Sequence, residues 1–351
     1  MGEMMGSVGF SKYWTDDPSV FSMIPSIQLF QQMFLNIYET FEKDLSVLDK
    51  LKDRKFDAMI YEVLAFNAIA IQEYLGIKIL YPSFSVTHST FLSNSIGEPA
   101  SPSILSGALS PFGDEMTFEE RLMNTMCNFI YSSVLKPPAI RSYIFPHKMI
   151  DQKDAVSRAP FVFLNSNPYL DFPRPTLTKT VAIGGISVNV TEIKQKKLPL
   201  EFDRILDERG ETVLISFGTI MLSKDMPEVY KENILNVIGS FPDVTFIWKY
   251  ESTDFEPLQK LSNLHIFNWV PQAVLLADPR LSVFITHAGL GSVNELSYLG
   301  KPSILIPIFA DQLRNAKMLA RHNGSIYLDK RNLESFQELR NALEATLYQE
   351  R

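Results

Sequence analysis

The chain has 351 residues, 46% apolar and 21% charged, a globular composition that excludes a largely disordered protein. Acidic side chains outnumber basic ones by 40 to 33, a formal net charge of −7, which argues against nucleic-acid binding through bulk positive charge. A lone cysteine, Cys127, excludes an intramolecular disulfide framework, no Cys/His cluster has zinc-ligand spacing, and no apolar run approaches the roughly 18 residues of a membrane span.

At roughly 150 residues per domain, this length fits about two domains. The pattern predicts a helix over 21–51, with apolar positions at Phe34, Ile37, Phe41, Leu45 and Leu48. A strand over 56–61, a helix through Tyr74, a stop at Gly76 and a strand over 77–81 follow. Residues 95–115 hold three prolines and three glycines and read as a long loop before a helix over 118–135 and a buried strand over 160–164. Between Ile183 and Leu200 the composition shifts to a lysine-rich segment, which places a domain boundary between residues 1–190 and 198–351. The second half predicts strands over 212–217, 244–248, 264–267, 281–286 and 303–307. Helices are predicted over 227–239, 272–277, 291–299, 311–322 and 333–348. Such alternation implies a parallel sheet covered on both faces.

The informative stretch runs from Trp269 to Gln312. A buried strand ends at His287-Ala-Gly289-Leu-Gly291-Ser292, and a helix follows. A glycine-rich turn at that place exposes backbone N–H groups at a helix N-terminus, an arrangement suited to a phosphate or diphosphate. His287 can donate to the same anion, and Glu295, one turn on, can accept from both hydroxyls of a ribose. Trp269-Val-Pro271-Gln272 offers an aromatic plane beside a rigid turn, suited to stacking a base. Asp311 and Gln312 open another helix at a strand's carboxyl end, where a carboxylate and an amide can recognise sugar hydroxyls. Taken singly, each feature also has a structural reading: a core tryptophan, a hydrogen-bonded histidine, a helix cap. A nicotinamide-dependent oxidoreductase is disfavoured, because Glu295 lies too close to the glycine turn for a ribose-binding acid roughly 20 residues on.

Trp269-Val-Pro-Gln272, Phe284-Ile-Thr-His-Ala-Gly-Leu-Gly-Ser-Val-Asn-Glu295, Gly300-Lys-Pro302 and Pro307-Ile-Phe-Ala-Asp-Gln312 together resemble the donor-binding signature of the UDP-glycosyltransferases. The likeness is greatest to the animal UDP-glucuronosyltransferases. Ser216-Phe-Gly-Thr219, Ile183-Gly-Gly-Ile186 and the stretch from Phe56-Asp57 to Glu62 support it. The resemblance implies an α/β protein of two Rossmann-like domains facing across a cleft (GT-B type), with residues 1–190 an incomplete acceptor-binding domain and 198–351 the donor-binding domain. It implies that Trp269 stacks on uracil, Gln272 holds the nucleoside and Glu295 binds the ribose. By the same likeness His287, Ser292, Thr219 and the backbone at Gly289 and Gly291 bind the diphosphate, and Asp311 and Gln312 the sugar. Many relatives carry Asn or His where this chain has Gly291.

The implied reaction is inverting transfer of glucuronic acid or glucose from a UDP-sugar to a hydroxyl of a small lipophilic acceptor. The UDP-sugar is a co-substrate, and no cofactor or metal is expected; no Asp-x-Asp triplet is present for a metal–diphosphate bridge. In the family a histidine activates the acceptor and a carboxylate orients it. Glu62 matches the carboxylate. The histidine position lies upstream of the residues present, and His88 and His147, which follow Glu62, fit it poorly. The chain therefore resembles a fragment or short form lacking both ends, with membrane attachment through segments outside it. The family's location implies the endoplasmic reticulum membrane, and the sequons at Asn189 and Asn323 are compatible with a lumenal chain. A second reading is a catalytically silent short form that binds UDP or modulates a full-length relative as a homo- or hetero-oligomer.

Overall fold

The computed structural model describes residues 10–16, 36, 44–65, 68–134, 140–141, 149–150, 152–252 and 260–348. By their contacts the residues divide into two units, Met1–Pro18 with Gly185–Arg351, and Ser19–Gly184. The division falls at Gly184 and Gly185, ahead of the lysine-rich segment, and the N-terminal residues group with the second half rather than the first. Most of the helix predicted over 21–51 lies outside the described residues. Its end is α1 (Leu45–Lys52), capped by Asp44, whose carboxylate accepts from the Ser46 N–H at 3.1 Å.

Unit Ser19–Gly184 is built on four parallel strands in the order β1-β2-β5-β6: β1 (Ala58–Glu62), β2 (Ile79–Phe84), β5 (Val162–Leu164) and β6 (Thr180–Ala182). Two-residue strands β3 (Ile140–Arg141) and β4 (Met149–Ile150) form a separate antiparallel pair. The helices are α2 (Ala68–Leu75), α3 (Thr90–Ile96), α4 (Phe118–Val134) and α5 (Gln152–Arg158). Val63, Leu80, Phe84, Leu92, Val156, Val162 and Leu164 belong to one buried cluster. The strands predicted over 56–61 and 77–81 both begin two residues later and end one and three residues later, which leaves Glu62 as the last residue of β1.

Unit Gly185–Arg351 begins with α6 (Val190–Gln195), in the lysine-rich segment of the predicted boundary, and α7 (Leu200–Leu206), which follows it. Asn189 caps α6 by accepting from Glu192 N–H at 3.1 Å. Arg280 ties α7 to the loop before the fourth strand through Asp203, Asp207 and Asp278, each at 2.8 Å. The strands are β7 (Glu211–Ser216), β8 (Val244–Lys249), β9 (Leu264–Phe267), β10 (Leu281–Thr286), β11 (Ser303–Leu305) and β12 (Ser325–Tyr327). All pair in parallel in the order β12-β11-β10-β7-β8-β9. This is the dinucleotide-fold order, read from β9. The helices are α8 (Glu228–Gly239), α9 (Gln272–Ala277), α10 (Leu290–Leu299), α11 (Gln312–Ala320) and α12 (Phe336–Tyr348). β7 and β8 are buried almost throughout, as expected of central strands in a parallel sheet covered on both faces. Among the described residues no helix is long and apolar enough to cross a membrane.

In unit Ser19–Gly184 the buried His88 donates from Nε2 to Glu98, whose other oxygen accepts from Leu177 N–H at 2.8 Å and from the Thr180 hydroxyl. Burial acts to raise Glu98, but these bonds outweigh it and bring its pKa down to about 2. Burial lowers the His88 pKa, with Glu98 opposing. Both folded-state values lie below the unfolded ones, so the pair's stabilisation is present above pH 6.5 and is lost progressively as the pH falls through 6.5, 4.5 and towards 2. The thermal unfolding midpoint is expected to fall between pH 7 and about pH 4, and to fall less in a His88→Asn, Glu98→Gln double variant. Equal slopes in parent and variant contradict this assignment.

Candidate functional site

From β7 the chain runs on to β8, and from β10 to β11, on opposite sides of the pair. Adjacent strands whose connections diverge leave a crevice at their carboxyl ends, the place where open α/β sheets receive ligands. β7 and β10 end in register, Ser216 opposite Thr286, so the turn Phe217-Gly-Thr219 lies beside the turn His287-Ala-Gly289.

Gly218 and Gly289 enclose the His287 imidazole. A Cβ on Gly218 would stand 2.6 Å from Cε1 of that ring, and one on Gly289 2.7 Å from Nε2. Gly218 also adopts φ +85°, a conformation that suits glycine. Below the same turn Lys249, the last residue of β8, donates to the Gly218 carbonyl and to Glu251, both at 2.8 Å. Burial, with the Lys249 charge second, pushes the His287 pKa down to about 4, so at neutral pH the ring keeps one N–H donor. The sequence had not pointed to Lys249, although a lysine ending the apolar run Val244-Thr-Phe-Ile-Trp248 was the available signal.

Helix α10 begins at Gly289, which caps it without a side chain, so no side chain of the cap residue occupies the N–H groups of its first turn. Next to that turn Gln272 donates from Nε2 to the Ser292 hydroxyl at 3.0 Å and to Glu295 Oε2 at 2.7 Å. Burial raises the Glu295 pKa, with the Gln272 bond opposing. Trp269, three residues before Gln272, is 69% exposed and presents its ring to solvent. A Cβ on Gly291 would meet nothing within 4 Å, so the space beside it is open.

Asp311 ends the loop from β11 as the N-cap of α11, and Gln312 is the first residue of that helix. Gln312 Oε1 accepts from Ile308 N–H at 2.9 Å and Phe309 N–H at 3.1 Å. Asp311 accepts from Asn315 at 2.8 Å, and burial raises its pKa. Arg314, in α11, is fully buried. Lys317 lies over the Tyr327 ring at 5.1 Å. Ala288 and Ala310 both take positive φ, 60° and 58°; alanine rarely does so, and such outliers gather at ligand sites.

In the other unit Glu62 accepts from Leu64 N–H at 3.3 Å and Ser85 N–H at 3.0 Å, and burial raises its pKa. It thereby joins the turns that follow β1 and β2. His88 is committed to Glu98, and His147 lies outside the described residues. His265 bonds Glu208 at 2.9 Å. Among the described residues no group of three His, Cys, Asp or Glu side chains could hold a metal ion.

A family model described as UDP-glucoronosyl and UDP-glucosyl transferase matches residues 8–351. The human UDP-glucuronosyltransferase 1A10 is 28% identical over 341 residues, 94% of this chain and 61% of its own length. A putative UDP-glucuronosyltransferase of Caenorhabditis elegans is 29% identical over 314 residues, 86% of this chain and 58% of its own length. The chain thus spans 58–61% of these relatives. Among solved structures, Os79 from O. sativa in complex with UDP superposes with a TM-score of 0.63 at 17% identity, covering 91% of this chain and 76% of that one. The glycotransferase of kitacinnamycin gives 0.57 at 18%, covering 95% and 75%. At these identities the likeness shows the fold, two Rossmann-like units of the GT-B type.

The glycine contacts yield a paired test. Gly289→Ala is expected to displace the His287 ring and to cost about 1–3 kcal/mol through overpacking. Gly291→Ala meets open space on a helix and is expected to leave stability unchanged or raise it by up to about 1 kcal/mol. Denaturant unfolding measures both, and equal effects contradict the packing described.

Proposed function

Because the chain belongs to the UDP-glucoronosyl and UDP-glucosyl transferase family, we propose that its Gly185–Arg351 unit binds the UDP moiety of a UDP-sugar in the crevice between β7 and β10. Uracil stacks on Trp269, and Gln272 holds the nucleoside. Glu295 accepts from the ribose hydroxyls. The diphosphate sits at the N-terminus of α10, against the backbone of Gly289 and Gly291, the Ser292 hydroxyl, the His287 N–H and Thr219. Asp311 and Gln312 take the sugar. The observation that carries this reading is the His287 ring held between two glycines beside a helix start without a side-chain cap. Oriented N–H groups in a partly buried site stabilise negative charge without reorganising.

The reaction proposed is inverting transfer of glucuronic acid or glucose to a hydroxyl of a small lipophilic acceptor. The acceptor oxygen attacks the anomeric carbon from the face opposite UDP, the bond to the β-phosphate oxygen breaks, and the helix start and His287 stabilise the departing diphosphate. A base removes the acceptor proton, and Glu62 orients that base. Support for Glu62 comes from its fixed place at the carboxyl end of β1, with both oxygens anchored by backbone N–H groups. Family likeness adds the endoplasmic reticulum membrane as the proposed location.

Calorimetric titration with UDP tests the donor site. Saturable binding is expected, weakened about tenfold or more in Glu295→Ala, since hydrogen bonds to a charged group contribute about 1.5–3 kcal/mol. Excess EDTA is expected to leave the affinity unchanged. A His287→Ala, Glu295→Ala double variant that binds UDP as the parent does contradicts the assignment. Turnover of a phenol with UDP-glucuronic acid or UDP-glucose then tests transfer: UDP binding without transfer assigns this chain the donor site alone.

A further inference from the structure

Residues of Phe10–Trp14, a 3-10 turn, pack within the donor unit and against its loops. Tyr13 and Trp14 are 4% and 0% exposed. The Tyr13 ring stacks on Phe309 with centroids 5.0 Å apart, and the Trp14 ring meets Phe217 edge-on at 5.1 Å. Phe217 directly precedes Gly218-Thr219, and Phe309 directly precedes Ala310-Asp311-Gln312. These two loops follow β7 and β11, the strands on either side of β10. Two consecutive side chains from the start of the chain therefore hold the loops flanking the His287 turn.

A buried lysine completes the arrangement. Lys330 is 2% exposed and donates to Tyr13 O at 2.5 Å, to Asp16 O and to Ile308 O at 3.3 Å. Three ammonium protons meet three backbone carbonyls, two on the N-terminal segment and one on the loop after β11. Ile308 is gripped on both sides, its carbonyl by Lys330 and its N–H by Gln312. Two residues on, Ala310 sits at φ +58°, a conformation that persists only where its surroundings over-determine it.

We propose that residues 10–16 form a strap that sets the two donor-site loops in their binding geometry, with Lys330 as the positioning residue that fastens it. The inference rests on the donor-site reading and adds to it a part that comes from outside the β7–β12 fold. The strap touches no ligand atom in this account. It acts through the placement of Thr219 on one loop and of Asp311 and Gln312 on the other.

UDP affinity and thermal midpoint, measured together on the full chain, test it. Lys330→Met keeps the volume but abandons the three carbonyls, and is expected to weaken UDP binding about tenfold or more, as small misplacements of binding groups do. Lys330→Arg, which restores a donor, is expected to recover most of that loss. Tyr13→Leu and Trp14→Leu keep the burial, lose the ring contacts, and carry the same expectation should Lys330→Met not fold. Leu206→Ala, a core change in α7, is expected to lower the midpoint and leave the affinity unchanged. Lys330→Met binding UDP as tightly as the parent overturns the inference alone. So does affinity that merely tracks the midpoint across all variants. A parent chain that binds no UDP removes the donor-site reading and this inference with it.

Discussion

The parallel pairing of β7 with β10 is the constraint on which the rest depends. Because the two strands end level, Ser216 against Thr286, their turns emerge side by side and their helices leave in opposite directions. The crevice is a consequence of strand order, and the residues that reach it are fixed by where the strands stop. A register slip of one residue would turn the inward side chains outward and dismantle the His287 pocket with them.

The turns at this edge are conformationally costly. Gly218, Ala288 and Ala310 all have positive φ, in the turns that follow three neighbouring strands. Each is held by something outside its own turn. Lys249 bonds the Gly218 carbonyl, the Gly218 and Gly289 backbones close on His287, and Gln312 with Lys330 fixes the residues before Ala310. Left-handed alanine costs roughly 1–2 kcal/mol, a sum the surrounding hydrogen bonds and burial must offset. Rigidity here has a chemical purpose in the proposed function: donors already aimed at a diphosphate need not reorganise when it arrives.

Much of the donor unit was legible because its central strands β7, β8 and β10 are almost wholly buried and α7, α8, α9 and α10 start at proline or glycine. The strands over 264–267 and 281–286 and the helix over 272–277 fall where the pattern predicts them. Elements were missed where the local signal is short or polar. β12 has three residues, one of them Ser325 bonded to Ser303. β6 is partly exposed. α6 lies in the lysine-rich segment that marked the predicted boundary, and α7 follows it directly. The candidate site was legible as a set of residue types, but its wiring was not. Gln272, Ser292 and Glu295 are joined by hydrogen bonds that cross 20 and 23 residues of sequence. Lys330 reaches Tyr13 across 317. Such contacts depend on tertiary placement, which periodicity cannot report.

The most direct test of the central claim, a diphosphate site built around a neutral histidine, is a nuclear magnetic resonance titration of the His287 imidazole nitrogens with and without UDP. A ring that stays neutral from pH 8 down to about 5 and whose resonances move on adding UDP is the expected result. A ring that titrates near the ordinary histidine value and ignores UDP would contradict both the burial of His287 and its place in the donor site.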